Sequence, residues 1–328
     1  MIFAPATLAD LSRQLADCHA ARLPVTAVDL AALAAVREYT PEDMTITAEG
    51  GLTLAALQAT LATHGQWLPI DPPHPGRVTL RQLLSENLFG PRRCGFGTIR
   101  EHLNGLEAVL ADGRVTHSGG RVVKNVAGYD VLKLFVGARD SLGIISAATF
   151  KLRPLPVEEV LLTAQFPTLD AAWAAVVNLL QSPLTPVILD LHNLALDGSA
   201  SATFTVRLGL AGTAEEVAWQ VARATGFTRS LHQLRGAGLG EGLPADAPDP
   251  EQAFWSNPLP VQTHSVLPSA LPAALARIAP APFLARAANG ILHHRGTPLP
   301  APSTAPKALT GRLKDTFDPH HILPALPL

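Results

Sequence analysis

Charge, lysine and cysteine are all scarce in this 328-residue sequence, and each shortage removes a class of function. Asp, Glu, Lys and Arg make up 16% of the chain, against about 25% in ordinary soluble domains. Five lysines occur (Lys124, Lys133, Lys151, Lys307 and Lys314), so most of the positive charge is arginine. With a net charge of −2 and a pI near 6.6 there is no basic footprint for nucleic acid. The two cysteines, Cys18 and Cys94, are far apart and show no CxxC or CxC spacing. That argues against a disulfide framework or a zinc site, and makes a reducing cytoplasm the expected setting. No apolar run reaches the roughly 18 residues of a membrane span. The opening MIFAPATLADLSRQL has Asp10 close behind its apolar start and no basic n-region, unlike a secretory leader.

Familiar nucleotide and nucleophile motifs are missing too. Gly95-Phe96-Gly97 starts like a dinucleotide fingerprint, but Arg100 stands where the third glycine belongs and no strand feeds it. There is no Walker A sequence. Around Ser141, Arg139 replaces the first glycine of a nucleophile elbow.

What the chain does have is apolar residues, 47% of the total with mean hydropathy +0.21, enough for two domains with sizeable cores. Thr7 caps an expected helix with Leu8, Leu11 and Leu15 on one face, ending near Ala20-Ala21. A short strand at Pro24–Val28 and an alanine-rich segment to Val36 follow. Next come a strand at Met44–Ala48, a Gly50-Gly51 turn, a Thr53-capped helix and a strand at Trp67–Ile70. Leu80–Leu88 is expected to be helical. Leu103–Leu110 and Arg114–Ser118 form a hairpin across Asp112-Gly113, and Ile144–Leu152 is a strand. This order is α+β rather than repeating βαβ. After Pro154 and Pro156 come strands at Val160–Ala164, Val187–Leu191 and Ala202–Leu208, with helices at Leu169–Leu180 and from Thr213. Gly236–Pro250 reads as loop, proline punctuates Pro258–Pro306, and Lys307–Phe317 is a final helix.

The stretch Gly119–Phe150 stands out, with Lys124, Asn125, Tyr129 and Asp130 between two apolar runs and Gly128, Gly137 and Gly143 at its turns. Glycines so placed let backbone approach another strand or a flat ligand closely. The polar group serves equally a binding site, an interface or internal hydrogen bonding. Arg92-Arg93 suits an anion, solvated surface or an ion pair inside a subunit interface. The doublets His293-His294 and His320-His321 make poor metal sites, because neighbouring side chains in extended chain face opposite ways; surface or packing roles are expected for them.

Residues 41–156 resemble the flavin-binding domain of the vanillyl-alcohol-oxidase type, most closely that of the flavin-binding small subunits of bacterial glycolate oxidase. The resemblance is carried by Pro41–Gly51, by Gly65–His74 and by Phe89-Gly90-Pro91-Arg92-Arg93. It continues through Val123–Asp130 and Ser141-Leu142-Gly143-Ile144-Ile145, and Leu313–Pro319 is similar to the family's closing helix. It implies a two-subdomain FAD-binding domain over residues 1–156 (about 1–73 and 74–156). A smaller α+β cap domain over 157–306 follows, and 307–328 returns to the first domain. It implies FAD as cofactor, contacted by Pro72, Pro73, Thr79, Gly90, Lys124, Asn125, Gly128, Tyr129, Asp130, Gly143, Ile144 and Ile145. It also implies a larger homologous flavoprotein subunit and an iron–sulfur subunit as partners. The shared reaction is oxidation of a 2-hydroxy acid, glycolate to glyoxylate, in the cytoplasm or peripherally at the inner membrane. No catalytic residue carries over.

Two departures fall on the segments that, by the same resemblance, hold the FAD pyrophosphate on backbone N–H groups. The glycine-rich loop after the first strand is missing, since Ala27 runs straight into Val28-Asp29-Leu30. The paired glycines after Thr79 are replaced by Arg81-Gln82. Ala147 also stands for a glutamate, and Leu323-Pro324-Ala325 for an Asn-Pro-Gly turn. Three readings stay open: an FAD-binding, accessory component of the complex, a flavin-free structural subunit of it, or a repurposed small-molecule binder.

Overall fold

The computed structural model describes residues 1–120, 132–224, 228–234, 249–299 and 307–327. The chain divides into two compact units. One comprises Met1–Phe89, Thr98–Pro154 and Ser303–Leu328, the other Gly90–Gly97 and Leu155–Pro302.

In the first unit, β1 (Ile2–Phe3) pairs in parallel with β2 (Ala27–Val28) across the helix Leu8–Ala21. Thr7 caps that helix by accepting from the Asp10 N–H, and Leu11, Leu15 and Cys18 bury its inner face. A five-stranded antiparallel sheet follows in the order β3 (Val36–Thr40), β4 (Thr45–Glu49), β8 (Ile144–Lys151), β6 (Leu103–Val109), β7 (Val115–Gly119). The short pair β5 (Gln66–Trp67) and β9 (Arg153–Pro154) stands apart. Ile46, Ala48, Leu106, Ala108, Ala148 and Phe150 point to one side of the sheet. There they meet Leu54, Leu57 and Leu61 of the helix Leu54–Ala62 and Leu80, Leu83 and Leu84 of the helix Leu80–Ser85. Each fully buried leucine contributes about 1.5–3 kcal/mol. The helix Lys307–Phe317 closes the unit: Lys314 Nζ donates to Asp318 at 2.7 Å and to the carbonyls of Ser141, Leu323 and Pro324 at 2.8, 3.2 and 2.9 Å.

The second unit is built on a seven-stranded sheet. Its order is β13 (Thr228–Leu234), β10 (Glu158–Phe166), β12 (Ala200–Gly212), β11 (Ile188–Leu194), β15 (Phe283–Arg286), β16 (Ile291–His294), β14 (Gln262–Ser265). Its apolar face, with Leu162, Leu189, Leu191, Val206, Leu208 and Leu292, joins Val176 of the helix Leu169–Gln181, Val217 of Ala214–Arg223 and Leu275 of Leu271–Ile278.

Strand β3 forms where the sequence showed only the end of an alanine-rich segment, because Val36–Thr40 is recruited by pairing with β4. Three more strands, β14, β15 and β16, lie inside the proline-rich region. The strands there are four residues each, short enough to fit between prolines. The Arg92 guanidinium makes a two-pronged ion pair with Glu159 at 2.9 and 3.0 Å within the second unit. His293 and His294 do face opposite ways but are buried rather than exposed. Among the described residues no group of three or more His, Cys, Asp or Glu is placed to hold a metal, and no helix is long and apolar enough to cross a membrane.

Candidate cofactor site

The two segments that should grip a pyrophosphate lie close together in the first unit, and both are already engaged with the chain itself. After β2 the backbone turns at once: Asp29 Oδ1 accepts from the Ala31 N–H at 2.9 Å, and the Leu33 N–H donates to the Leu30 carbonyl at 2.8 Å. This turn lies directly on Gly50-Gly51. The Gly51 N–H donates to the Leu33 carbonyl at 2.9 Å, and a Cβ on Gly51 would fall 1.9 Å from the Leu30 carbonyl oxygen. A Cβ on Gly50 would come 2.6 Å from the Ile145 carbonyl. These glycines permit close approach of chain to chain, not of chain to ligand.

The second segment is the N-terminus of the helix Leu80–Ser85. Thr79 and Gln82 form a reciprocal capping box: the Thr79 N–H donates to Gln82 Oε1 at 3.1 Å and the Gln82 N–H to Thr79 Oγ1 at 3.2 Å. The Leu80 N–H donates to the Leu52 carbonyl at 2.9 Å and the Arg81 N–H to the Gly50 carbonyl at 2.8 Å. All four amides that a phosphate would need therefore have protein acceptors.

Arg81 bridges the two segments. Its Nη2 donates to the Val28 carbonyl at 2.8 Å and its Nη1 to Asp140 Oδ2 at 2.5 Å; the two side chains are only 15% and 18% exposed. Asp140 is presented from a tight turn in which Arg139 and Asp140 are both left-handed, at φ 50° and 61°. That conformation costs about 1–2 kcal/mol per non-glycine residue. The turn is fastened to the helix by the Arg139 N–H on the Ser85 carbonyl at 2.7 Å and the Gly137 N–H on Leu84 at 3.0 Å. Burial lifts the Asp140 carboxyl above its ordinary pKa, while Arg81 pulls it down. A diphosphate entering here would have to displace Asp140 from Arg81 and would meet no free amide in the first turn of the helix. The residues present do not fit the pyrophosphate of FAD at these two segments.

Of the other residues expected at the cofactor, Pro72 is buried and Pro73 half-buried. Gly90 belongs to the second unit, where its carbonyl accepts from the Arg93 N–H at 3.3 Å. Gly143 lets β8 start against β6, since a Cβ would stand 2.9 Å from the Val109 carbonyl. Ile144 and Ile145 are buried in two separate apolar clusters of the first unit. Lys124, Asn125, Gly128, Tyr129 and Asp130 lie outside the described residues. The sequence reading did not single out Asp140, which nothing local marks as Arg81's partner. It also missed a buried set of charges in the second unit: Asp190, Arg207, Glu251 and Arg286. The alternation in Ile188-Leu189-Asp190-Leu191-His192 was the available signal, because it puts two polar side chains on one face of an apolar strand.

Comparison with known proteins agrees with this architecture. Residues 24–119 match the FAD binding domain family. Over its whole length the chain superposes on alkyldihydroxyacetonephosphate synthase in two solved structures. The TM-scores are 0.70 and 0.73 at 16% and 15% identity, covering 98% of this chain and 75% of each of those chains. The chain thus shares the fold of alkyldihydroxyacetonephosphate synthase, with the FAD binding domain match lying largely in its first unit. Among curated proteins it is similar to glycolate oxidase subunit GlcE of Escherichia coli, 36% identical over 136 residues (40% of this chain, 39% of that protein). It is also similar to glycolate oxidase subunit GlcD of Bacillus subtilis, 33% identical over 155 residues (47% and 33%). A third relative is D-lactate dehydrogenase of Archaeoglobus fulgidus, 37% identical over 142 residues (43% and 31%). These matches span about a third of the relatives' own lengths.

Proposed function

We propose that this chain is an accessory subunit of a complex that oxidises a 2-hydroxy acid, glycolate to glyoxylate, and that it keeps its fold without FAD held in the usual mode. The relatives named as glycolate oxidase subunits support the substrate class. The accessory role rests on one observation: Arg81, tied to Val28 and Asp140, stands across the segments that would hold the pyrophosphate, and the amides beside it are already bonded. An undonated diphosphate in a buried site is strongly disfavoured. In this reading the two-electron oxidation takes place on a larger homologous flavoprotein subunit and the electrons leave through an iron–sulfur subunit. This chain supplies shape and contact surface, no general base, and reaches the inner membrane only through its partners in the cytoplasm.

The test is the visible spectrum of the purified chain, with its melting temperature measured with and without FAD. A colourless protein whose melting point FAD leaves unchanged is expected, since a ligand that binds the native state must raise it. Co-expressed with the larger flavoprotein, it should co-purify. Stoichiometric flavin released on denaturation would overturn the flavin-free reading, and failure to associate with the larger subunit would overturn the accessory role.

A further inference from the structure

The second unit buries a charge cluster that the function above does not use, in a chain otherwise poor in charge. Register sets Asp190 of β11 directly opposite both Arg207 of β12 and Arg286 of β15. All three stand on the face of the sheet away from Leu189 and Leu191. Arg286 is 1% exposed and Asp190 0%. Arg286 Nη1 donates to Asp190 Oδ2 at 2.7 Å. The cluster is completed from outside the sheet, by Glu251 in the helix Pro250–Ser256.

The Glu251 carboxylate is held as a receptor holds a free anion. Oε2 accepts from Arg207 Nη1 at 2.8 Å and from Arg286 Nη1 at 3.4 Å; Oε1 accepts from Arg286 Nη2 and from Trp255 Nε1 at 3.3 Å. Two guanidinium groups and an indole thus converge on one carboxylate, which is the strong, charge-assisted form of recognition. The short helix that delivers it is fastened independently of that contact. Phe254 is fully buried against Leu194 and Leu284, and Arg295 Nη2 donates to the carbonyls of Phe254 at 2.5 Å and Asn257 at 3.0 Å. The Gly198 turn lies so close that a Cβ there would fall 2.6 Å from the Phe254 nitrogen.

We infer that Arg207, Arg286 and Trp255 form a seat for a small carboxylate, and that Glu251 is its tethered, built-in occupant. In the intact chain the seat takes no free carboxylate, because a covalently attached one is present at far higher effective concentration. With Glu251 shortened to alanine, the vacated space corresponds to the two carbons and two oxygens of acetate, so acetate is the ligand the emptied seat should accept. The inference is independent of the proposed function, and its readout involves neither flavin nor partner.

The experiment compares thermal melting of the full-length wild type, Glu251→Ala and Glu251→Ala/Arg207→Met in sodium acetate and in sodium chloride at equal ionic strength. Expected are no difference between the salts for the wild type and a lowered melting temperature for Glu251→Ala that acetate raises saturably. The double variant should show no such rescue. If Glu251→Ala does not fold in chloride, its refolding yield in acetate against chloride gives the same reading, with a higher yield in acetate expected. Acetate stabilising the wild type as much as the variant would overturn the inference. So would a Glu251→Ala protein that melts, or refolds, identically in the two salts.

Discussion

Replacing Arg81 by methionine removes the guanidinium while keeping an aliphatic stem, and takes the counter-charge from Asp140 and a donor from the Val28 carbonyl. Losing one member of a fully buried ion pair costs about 3–5 kcal/mol. The 15% and 18% exposure of the two side chains lets water share the load, which puts the loss at about 3 kcal/mol. For a domain of this size that is a fall in melting temperature of roughly 6–12 °C. The loss should depend on pH. Arg81 is the group that pulls the Asp140 carboxyl down against burial. Without it the folded-state pKa rises further above the unfolded value, so the penalty is fully felt at high pH and relieved as pH falls through the raised pKa. Arg81→Met should therefore be closer to wild type at pH 5 than at pH 8. Adding Asp140→Asn removes the stranded carboxylate and should restore part of the stability at pH 8, a coupling of about 1–2 kcal/mol in a double-mutant cycle. Urea denaturation of the four proteins at both pH values measures this. Additive effects with no pH dependence would refute the idea that the ion pair replaces a ligand as the bridge between these segments.

Two further outcomes follow from buried charges. His192 and His293 are held neutral, chiefly by burial and next by Arg207 and Arg286 respectively, with Glu251 opposing; each imidazole pKa is pushed down to about 3 from 6.5. Asp190 goes the other way, up to about 6 from 3.8, because burial outweighs Arg286. Between pH 6 and 4 unfolding thus takes up protons at two histidines and gives one up at Asp190. Glu251, whose folded carboxyl the two arginines hold well below its ordinary pKa, takes up a further proton on unfolding toward the low end of that window, so uptake exceeds release and stability should fall as pH drops. Urea titrations that show stability flat or rising over that window would contradict this. Lys314→Met leaves the fully buried Asp318 with two backbone N–H donors but no counter-charge, and takes the ammonium donor from three carbonyls; it should cost about 3 kcal/mol by the same measurement, and a loss under about 1 kcal/mol would show the clasp to be dispensable.

Much of the local structure was written in short-range chemistry. Thr7, Thr53 and Thr213 each cap the helix that follows them, as side-chain oxygen and apolar spacing predict. Asp112-Gly113 turns its hairpin, with Gly113 at φ 84°. The departures from the family pattern at Ala27–Leu30 and Arg81-Gln82 were also legible, because a missing glycine is a local fact. Strand β3 was not, since Val36–Thr40 has no alternating pattern and owes its conformation to β4.

The sequence by itself determined which residues stand at Ala27–Leu30 and at Arg81-Gln82, where the resemblance leads one to expect glycines. What replaces them was decided by tertiary structure alone. Arg81 finds Asp140 at a separation of 59 residues, and Glu251 reaches arginines 44 and 35 residues away. Such pairings depend on where strands and helices bring side chains, and no local propensity encodes them. The glycines at 50 and 51 illustrate the difference. Sequence marks them as places of close approach, and only the fold shows that what approaches is the chain's own Leu30 and Ile145.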